Sequence, residues 1–392
     1  MVKIKKLFIL YHIYGDEMAG LLDFPMERVE EGSANVFIPS QKKISKKLPV
    51  FYNPVMRFSR DIAILLLSQF PAMSLCDLLA GTGIRSIRFA KELNHKSIAI
   101  NDMNRNSFIL IKKNLRLNGI KNFSTIKAGK TKINNEKIQL YNEDANLFLL
   151  NSKGFDYIDI DPFGTSNPFL DAAIKRTARN GILAVTNTDT AALTGTYPEA
   201  CRRKYWAVPK KDYMMHETGL RILIRKVQLV GMQYEKALNP IFSYYRDHYF
   251  RVFFSCIKGK IGCDNIAKQH GAFNDAGPMW LGSLWDRNLT NKMHLSTIKS
   301  PEKDEKYANK VFYDNELLKF VKIVKDESSI DVTGFYDMHA SAKGKGFEKM
   351  FKKEELVRKI RDKGYKAAPT HFSGTGIRTD IGYREFLKLL KK

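Results

Sequence analysis

The chain has 392 residues, 44% of them apolar, and this composition excludes an intrinsically disordered protein. Its 65 Lys and Arg residues against 41 Asp and Glu residues give a net charge of +24, which favours a polyanionic partner, nucleic acid first, although a lysine-rich proteome is an alternative explanation. Four cysteines without a CxxC pair exclude a disulfide framework and indicate a reducing cytoplasm.

The first predicted elements are a short strand and an apolar helix. Residues 1–13 faintly resemble a signal peptide, but they lack a small-residue cleavage site and meet Asp16 at once, so we reject export. Residues 35–39 predict a strand, and residues 59–69 predict a helix with Ser59 as its N-cap. The longest strong apolar run, residues 62–67, is far shorter than the roughly 18 residues of a membrane span.

Strands alternate with helices from residue 73 onward. The predicted strands are residues 73–79, 96–102, 137–144, 156–161 and 181–186. The helices between them include residues 145–150 and residues 169–179, the second with Asn167 as N-cap and Pro168 at its first position. This alternation predicts a parallel, doubly wound sheet that binds ligands at the carboxyl ends of its strands.

A second pattern follows the alternation. A long helix at residues 216–236 precedes an antiparallel pair at residues 241–245 and 248–254. A five-stranded parallel sheet finished by such a pair is, by analogy, the outline of a Rossmann-like class I methyltransferase. We therefore predict an α/β domain at residues 1–258 and a smaller C-terminal α+β domain at residues 259–392.

A glycine turn after the first of these strands indicates a nucleotide-like ligand. Gly81 and Gly83 let the backbone approach a ligand at a helix N-terminus. Asp102, at the end of the next strand, can hold two ribose hydroxyls. The pattern predicts an adenosine-containing ligand and does not exclude NAD, because Ser86 supplies the third small residue of the dinucleotide motif.

An Asp-Pro-Phe-Gly corner ends the strand at residues 156–161. A strand end followed by a turn would explain Pro162 and Gly164 without any function. Methylation of an exocyclic amine gives a more specific explanation, since Asp161 and a carbonyl fixed by Pro162 could accept the two N–H bonds. Phe163 would then stack on the base. The corner resembles the Asp/Asn-Pro-Pro-aromatic signature of amino methyltransferases, but Phe163 stands where that signature has its second proline, and no aromatic residue follows it.

Eleven motifs, in order from residue 50 to residue 377, resemble the archaeal type of tRNA (guanine-26-N2)-dimethyltransferase, and the resemblance as a whole spans roughly residues 27–383. They are VFYNP at 50–54, SRD at 59–61, AGTGIR at 80–85, DIDPFG at 159–164, TDTAAL at 188–193, CRRKY at 201–205, HETGLR at 216–221, YYRDHY at 244–249, GPMWLG at 277–282, FYDMH at 335–339 and THFSGTGI at 370–377.

The resemblance implies S-adenosylmethionine as cofactor and N2 of guanine 26 in tRNA as the methylated atom. It implies cofactor contacts from the glycine turn and from Arg60, Arg85, Asp102, Asp144 and Ala145. The two arginines would pair with the methionine carboxylate, Asp102 with the ribose, and Asp144 and Ala145 with the adenine. Asp161 would be the catalytic carboxylate, and Phe163 and Phe51 would sandwich the guanine.

The sequence departs from the family at two places. Only Cys256 and Cys263 remain of a cysteine cluster that some relatives carry, so we predict no metal site. Residues 1–25 have no counterpart and are expected to be an extension, with a misassigned start codon and translation from Met26 as the alternative. The charge excess supplies candidate contacts for the tRNA backbone, namely Arg202, Arg203, Lys204, Lys343, Lys345, Lys349, Lys352, Lys353, Arg358 and Lys359.

Three other functions stay open at this point. The same chemistry could act on another tRNA guanine or on an adenine amine. A non-catalytic RNA-binding protein on the same fold is disfavoured because Asp102, Asp144 and Asp161 are all present, and an NAD oxidoreductase is the weakest reading. We expect a cytoplasmic enzyme and, although the sequence leaves the oligomeric state open, a monomer.

Overall fold

The computed structural model describes residues 22–40, 47–126, 136–298, 313–345 and 350–391. Contacts divide the chain into two compact units. The first consists of the described residues within Met1–Phe163, Asp171–Leu183 and Ser300–Tyr313, and the second of those within Gly164–Leu170, Ala184–Lys299 and Asp314–Lys392. The predicted boundary between residues 258 and 259 stays a prediction, and most of the predicted extension lies outside the described residues.

Helices and strands alternate through the first half of the chain, as predicted. Up to residue 187 the elements are β1 (Met26–Glu31), β2 (Ala34–Pro39), a 3₁₀ turn (Pro54–Met56), α1 (Arg57–Leu67), β3 (Met73–Asp77), α2 (Ile84–Glu92), β4 (His95–Asn101), α3 (Arg105–Leu117), β5 (Ser124–Ile126), β6 (Ile138–Tyr141), α4 (Ala145–Asn151), β7 (Phe155–Ile160), α5 (Asn167–Arg176) and β8 (Thr177–Asn187). Beyond it they are α6 (Thr190–Leu193), α7 (Pro198–Tyr205), α8 (Met215–Met232), β9 (Lys236–Arg246), β10 (Tyr249–Lys258), α9 (Lys260–Ala267), β11 (His270–Phe273), β12 (Ala276–Trp280), α10 (Arg287–Ile298), α11 (Asn315–Glu327), β13 (Tyr336–Asp337), α12 (Met338–Ala342), α13 (Lys353–Asp362), β14 (Ala367–Pro369), β15 (Gly376–Thr379) and α14 (Tyr383–Leu390).

The largest sheet has eight strands in the order β5-β6-β4-β3-β7-β8-β10-β9. Neighbours from β5 to β7 pair in parallel, and β9 pairs with β10 in antiparallel fashion. The predicted α/β fold with a parallel sheet and an antiparallel pair is therefore confirmed. The prediction missed β5, because a strand of three residues is too short to show a periodicity.

The predicted N-cap of the first helix is wrong. Ser59 lies inside α1, which begins two residues earlier. Pro54 fixes the backbone dihedral φ near the helical value, and the side chain of Asn53 accepts a hydrogen bond of 3.0 Å from the amide of Val55. The helical path is thus already established before Ser59.

Two helices are shorter than predicted. Helix α5 ends at Arg176 rather than at residue 179, because the chain is already extended at Thr177. Helix α8 ends at Met232 rather than at residue 236, since Glu235 adopts a left-handed backbone with φ of 54° and Lys236 pairs with Lys258 at the end of the β9–β10 ladder. In both places strand structure overrides a local helical pattern.

A buried ion network holds the later elements of the second unit together. Arg378 on β15 donates to Glu217 on α8 at 2.6 Å and to Glu327 on α11 at 3.0 Å, and all three side chains are fully buried. Nδ1 of His371 lies 2.7 Å from Glu327. Within the described residues, none of the helices has the length and apolarity that a membrane crossing needs.

Candidate active site at the strand ends

The glycine turn lies between β3 and α2 and is fixed from two sides. Gly81 and Gly83 both have left-handed backbones, with φ of 55° and 79°. The Asp102 carboxylate accepts hydrogen bonds from the Gly81 amide at 2.7 Å and from the Asn104 amide at 2.8 Å. A Cβ atom at Gly81 would lie 2.9 Å from the carbonyl oxygen of Phe51, so only glycine fits there. The structure thus brings Gly81, Asp102 and Phe51 together.

The ends of β4 and β6 are linked by asparagines that the sequence analysis missed. The buried side-chain amide of Asn101 donates to the carbonyls of Leu78 and Glu143 at 3.2 and 3.1 Å. The amide of Asn142 donates to the carbonyl of Asp102 at 2.8 Å. The sequence did contain a signal for these links, namely an asparagine at the last position of β4 and another directly after β6. These bonds place the carboxyl ends of three strands at one edge of the sheet.

Asp144 and Ala145 lie at the start of α4. The Asp144 carboxylate caps this helix by accepting from the amides of Asn146 and Leu147 at 2.9 and 3.1 Å. The Asp144 side chain is exposed, whereas Ala145 is buried. Asp144 therefore has a structural role at the helix terminus, and its exposure leaves it accessible to a ligand.

The strand-end cluster consists of Asp77, Arg85, Asp159 and Asp161. The Arg85 guanidinium donates to Asp161 and lies 3.2 Å from Asp159, which stands opposite Asp77 in the β3–β7 register. Asp77 accepts from the Ser86 hydroxyl at 2.6 Å. Burial, together with the charges of Asp159 and Asp161, raises the pKa of Asp77 to about 6 although Arg85 opposes the shift. One guanidinium thus faces three carboxylates, and Asp161 is the one with solvent access, its side chain 19% exposed.

The two carboxylates within β7, those of Asp156 and Asp159, have structural partners. Asp156 accepts from the amide and the hydroxyl of Ser74 at 2.9 and 3.0 Å, and Lys96 donates to it at 3.1 Å. Asp159 accepts from the Tyr157 hydroxyl in addition to its pairing with Arg85. Of the three, Asp161 alone stands after the end of β7, beside the buried Pro162.

The two predicted stacking rings are in direct contact. The ring centroids of Phe51 and Phe163 lie 4.3 Å apart, and the rings meet edge to face at 88°. Phe163 is 46% exposed. The structure therefore brings both aromatic residues to one point, and a base can lie between them only after the rings separate.

A second ion cluster includes Glu31, which lies at the end of β1 in the antiparallel β1–β2 hairpin. This hairpin cluster consists of Glu31, Arg57, Arg60, Asp61, Arg88 and Glu92. Glu31 accepts two bonds of 2.6 Å from Arg60 and one of 3.0 Å from Arg88. Arg88 also reaches Asp61 at 2.6 Å and Glu92 at 2.9 Å. Burial opposes the ionisation of Glu31, but the charges of Arg60 and Arg88 outweigh it and lower the pKa of Glu31 to about 2. The predicted cofactor ligand Arg60 is thus already oriented by Glu31, a partner that the sequence analysis missed.

Cys256, Cys263 and the nearby His270 do not form a group that could bind a metal ion. Nε2 of His270 lies 2.8 Å from the side-chain oxygen of Gln228, and Cys256 and Cys263 are buried free thiols. No group of three or more His, Cys, Asp or Glu suited to a metal ion occurs in the described part of the chain. The expected absence of a structural zinc stays a prediction.

The predicted tRNA contacts are mostly on the surface. Arg202, Arg203 and Lys204 are exposed on α7, and Lys204 pairs with Asp189 at 2.9 Å. The exposed members of the C-terminal group are Lys343, Lys345, Lys352, Arg358 and Lys359, whereas Lys353 is half-buried. Lys349 lies outside the described residues.

The fold and the site define the class of the protein. The solved complex of Trm1 from Pyrococcus horikoshii with S-adenosyl-L-methionine is similar over 93% of this chain and 100% of that chain, with a TM-score of 0.81 and 33% identity. This likeness confirms the predicted α/β methyltransferase fold. The chain is a methyltransferase of the S-adenosylmethionine-dependent class.

The family follows from the sequence comparison. The model of the N2,N2-dimethylguanosine tRNA methyltransferases matches residues 32–275 and 268–391, and the chain belongs to this family. The tRNA (guanine(26)-N(2))-dimethyltransferase of P. horikoshii is 36% identical over 95% of this chain and 100% of its own length. The tRNA (guanine(26)-N(2)/guanine(27)-N(2))-dimethyltransferase of Aquifex aeolicus is 33% identical over 94% of this chain and 96% of its own length. The predicted family is confirmed.

Proposed function

We propose that this chain transfers methyl groups to the exocyclic N2 of guanine 26 in tRNA, giving N2-methylguanosine and then N2,N2-dimethylguanosine. The observation that carries the proposal is the corner at the end of β7. There Asp161 is held by Arg85, and Phe163 meets Phe51 next to the glycine turn. A carboxylate, an aromatic pair and a nucleoside-binding turn at one sheet edge meet the needs of base methylation.

Asp161 has the central chemical role in this proposal. The lone pair of guanine N2 is delocalised into the ring, so the amine is a weak nucleophile. Asp161 and the carbonyl of Pro162 accept its N–H bonds and draw the nitrogen toward tetrahedral geometry. S-adenosylmethionine would supply the methyl group with cleavage of its sulfur–methyl bond, leaving the thioether S-adenosylhomocysteine, and Asp161 takes the proton that N2 loses and releases it to solvent. The second methylation repeats these steps on the remaining N–H.

The described residues fit S-adenosylmethionine as the cofactor, which supplies an electrophilic methyl group on a sulfonium sulfur. Asp102 lies at the glycine turn, where it can accept from the ribose hydroxyls in addition to the Gly81 amide. The exposed Asp144 and the neighbouring Ala145 suit the adenine edge. Arg60 and Arg85 would hold the methionine carboxylate, and Arg85 also holds Asp161, so one side chain would join the cofactor to the catalytic carboxylate.

The base enters between Phe51 and Phe163. The edge-to-face contact of the rings closes this space in the present structure. A flipped guanine replaces the ring–ring contact by stacking on both rings, which offsets part of the cost of unstacking the base from the tRNA.

The tRNA backbone is held by basic side chains outside the pocket. Arg202, Arg203 and Lys204 on α7 and the exposed lysines near α13 contact phosphates, and residues 259–392 form the domain that grips the tRNA. The four buried free cysteines suit a reducing cytoplasm, which we propose as the compartment, and we propose a monomer as the oligomeric state.

A second candidate substrate is guanine 27. The Aquifex aeolicus relative, whose name includes both guanines, matches 94% of this chain. The chemistry at N2 is the same for the two positions. Only the register of the tRNA on the protein would differ.

The decisive experiment is nucleoside mapping after methyl transfer. Unmodified tRNA transcripts carrying guanine at position 26, at position 27 or at neither are incubated with the protein and labelled cofactor, then digested and analysed by mass spectrometry. Dimethylguanosine that depends on guanine 26 supports the proposal. A product that depends on guanine 27 alone supports the second candidate, and the absence of any methylated guanosine contradicts both.

A further inference from the structure

Trp206 combines an unusual backbone with an exposed ring. It ends helix α7 in the left-handed conformation, with φ of 57° and ψ of 41°, a position that helices usually give to glycine. The conformation is unfavourable for a residue with a large side chain. Its indole is nevertheless 51% exposed, so burial of the ring does not explain the choice of residue.

A lysine holds the ring in place from one side. The ammonium of Lys226 lies 3.1 Å from the centre of the indole, and Lys226 itself is only 7% exposed. Burial lowers the pKa of Lys226. The cation makes the ring a fixed platform, because a cation on one face of an indole is attracted to its π electrons.

The surroundings of the ring are strongly basic. Arg202, Arg203 and Lys204 precede Trp206 on α7, and a guanidinium nitrogen of Arg225 lies 3.4 Å from the Trp206 carbonyl. Within the described residues, neither Arg225 nor Lys226 has a carboxylate within 4.0 Å. Arg202 lies 3.5 Å from Glu199 and Lys204 lies 2.9 Å from Asp189. Among the described residues, the charge without an acidic partner is therefore that of Arg203, Arg225 and Lys226. An exposed aromatic ring beside such charge complements a polyanion whose bases can stack.

We propose that Trp206 is a stacking platform for a nucleobase of the tRNA, outside the pocket that receives the methylated guanine. The inference rests on the proposed function for the identity of the RNA. The indole stacks on an unpaired base while the basic side chains of α7 hold the adjoining phosphates. The ring thus gives the complex a contact that does not depend on salt.

Fluorescence offers a direct test, because the two other tryptophans, Trp280 and Trp285, are only 3% and 6% exposed. Titration with an unmodified tRNA transcript is expected to quench the emission of the wild-type protein. Trp206→Phe should abolish most of the quench and keep most of the affinity, since it retains a ring. Trp206→Gly, which suits the left-handed backbone, should raise the Kd for tRNA roughly tenfold.

The salt dependence separates stacking from charge. Trp206→Gly should lower the affinity equally at all salt concentrations, whereas Arg203→Ala should reduce the slope of log K against log salt by about 1. Ile261→Ala, which removes a side chain 78% exposed on α9, is the matched control and should change neither value. Unchanged Kd values for S-adenosylmethionine show that the variants are folded.

The outcomes distinguish this inference from the proposed function. Quenching and affinity that do not depend on Trp206, in a protein that methylates guanine 26, overturn the platform and leave the function intact. A quench that depends on Trp206, with no methyl transfer by the wild-type protein, supports the platform and overturns the function.

Discussion

Two ion clusters of the first unit use the same residue types with different charge balance. The strand-end cluster has three carboxylates around one guanidinium, whereas the hairpin cluster has three carboxylates and three guanidiniums. Burial and neighbouring carboxylates raise the pKa of Asp77 to about 6, while two guanidiniums lower the pKa of Glu31 to about 2. Both carboxyl groups are buried, so the difference between the two pKa values follows from the balance of the neighbouring charges.

The largest effect is expected at the exposed edge of the strand-end cluster. Asp161→Asn should lower the single-turnover rate of methyl transfer about 10²–10⁴-fold, because it removes the proposed proton acceptor at N2. The Kd for S-adenosylmethionine, from calorimetry, should stay unchanged. Asp156→Asn is the matched control on the same strand, since Ser74 and Lys96 occupy that carboxylate. A fully active Asp161→Asn variant would exclude the catalytic assignment.

Substitutions in the hairpin cluster should lower the stability of the protein. Glu31→Ala leaves Arg60 and Arg88 without their shared partner and should lower the free energy of unfolding by about 3–5 kcal/mol in urea titrations. Asp171→Ala, which breaks a surface pair with Lys175, is the control and should cost less than about 1 kcal/mol. Equal losses in the two variants would show that the hairpin cluster is not a structural element.

Asp77 should make stability depend on pH. Its pKa rises from the ordinary 3.8 to about 6, so between these values the folded protein holds a proton that the unfolded chain releases. The stabilisation is complete below pH 3.8 and is lost as the pH rises through 6. Relative to Asp77→Asn, the wild type should lose on the order of 2–3 kcal/mol between pH 4 and pH 7. Parallel urea midpoints for the two proteins across this range would contradict the shift.

The smallest effect is expected for a substitution that tests whether Arg85 contacts the carboxylates of β7 and Asp161, the cofactor, or both. Arg85→Lys keeps the charge but loses the planar fork that reaches Asp159 and Asp161, so kcat should fall about tenfold. An accompanying rise in the Kd for S-adenosylmethionine would place Arg85 on the methionine carboxylate as well. A raised Kd with unchanged kcat would assign Arg85 to the cofactor alone.

Local patterns predicted the parts of the candidate site that each lie just after a strand. The glycine turn, Asp102, Asp144 and the corner at Asp161 each follow a strand, and a parallel sheet brings strand ends to one edge. Pairings between distant residues left no such pattern. Glu31 reaches Arg60 across 29 residues and Arg88 across 57, so no local spacing marks it as their partner.

Single backbone features also escaped the sequence analysis. Glycine is the residue type that usually marks a left-handed helix end, so nothing in the sequence indicated that Trp206 adopts this conformation. The start of α1 depends on Asn53 and Pro54 rather than on Ser59, the residue that the sequence pattern favoured as the N-cap. In both places the residue types fit more than one local conformation, so the sequence pattern alone could not select the one that the structure adopts.

The contact between Gly81 and Phe51 has a thermodynamic consequence. The glycine turn touches the carbonyl of the residue whose ring is proposed to hold the base, with no room for a methyl group between them. A cofactor that orders the turn must also restrict Phe51, and a base stacked on Phe51 must restrict the turn. We therefore expect the affinities for the methyl donor and for the RNA to be reciprocally linked, each raising the other by the same factor.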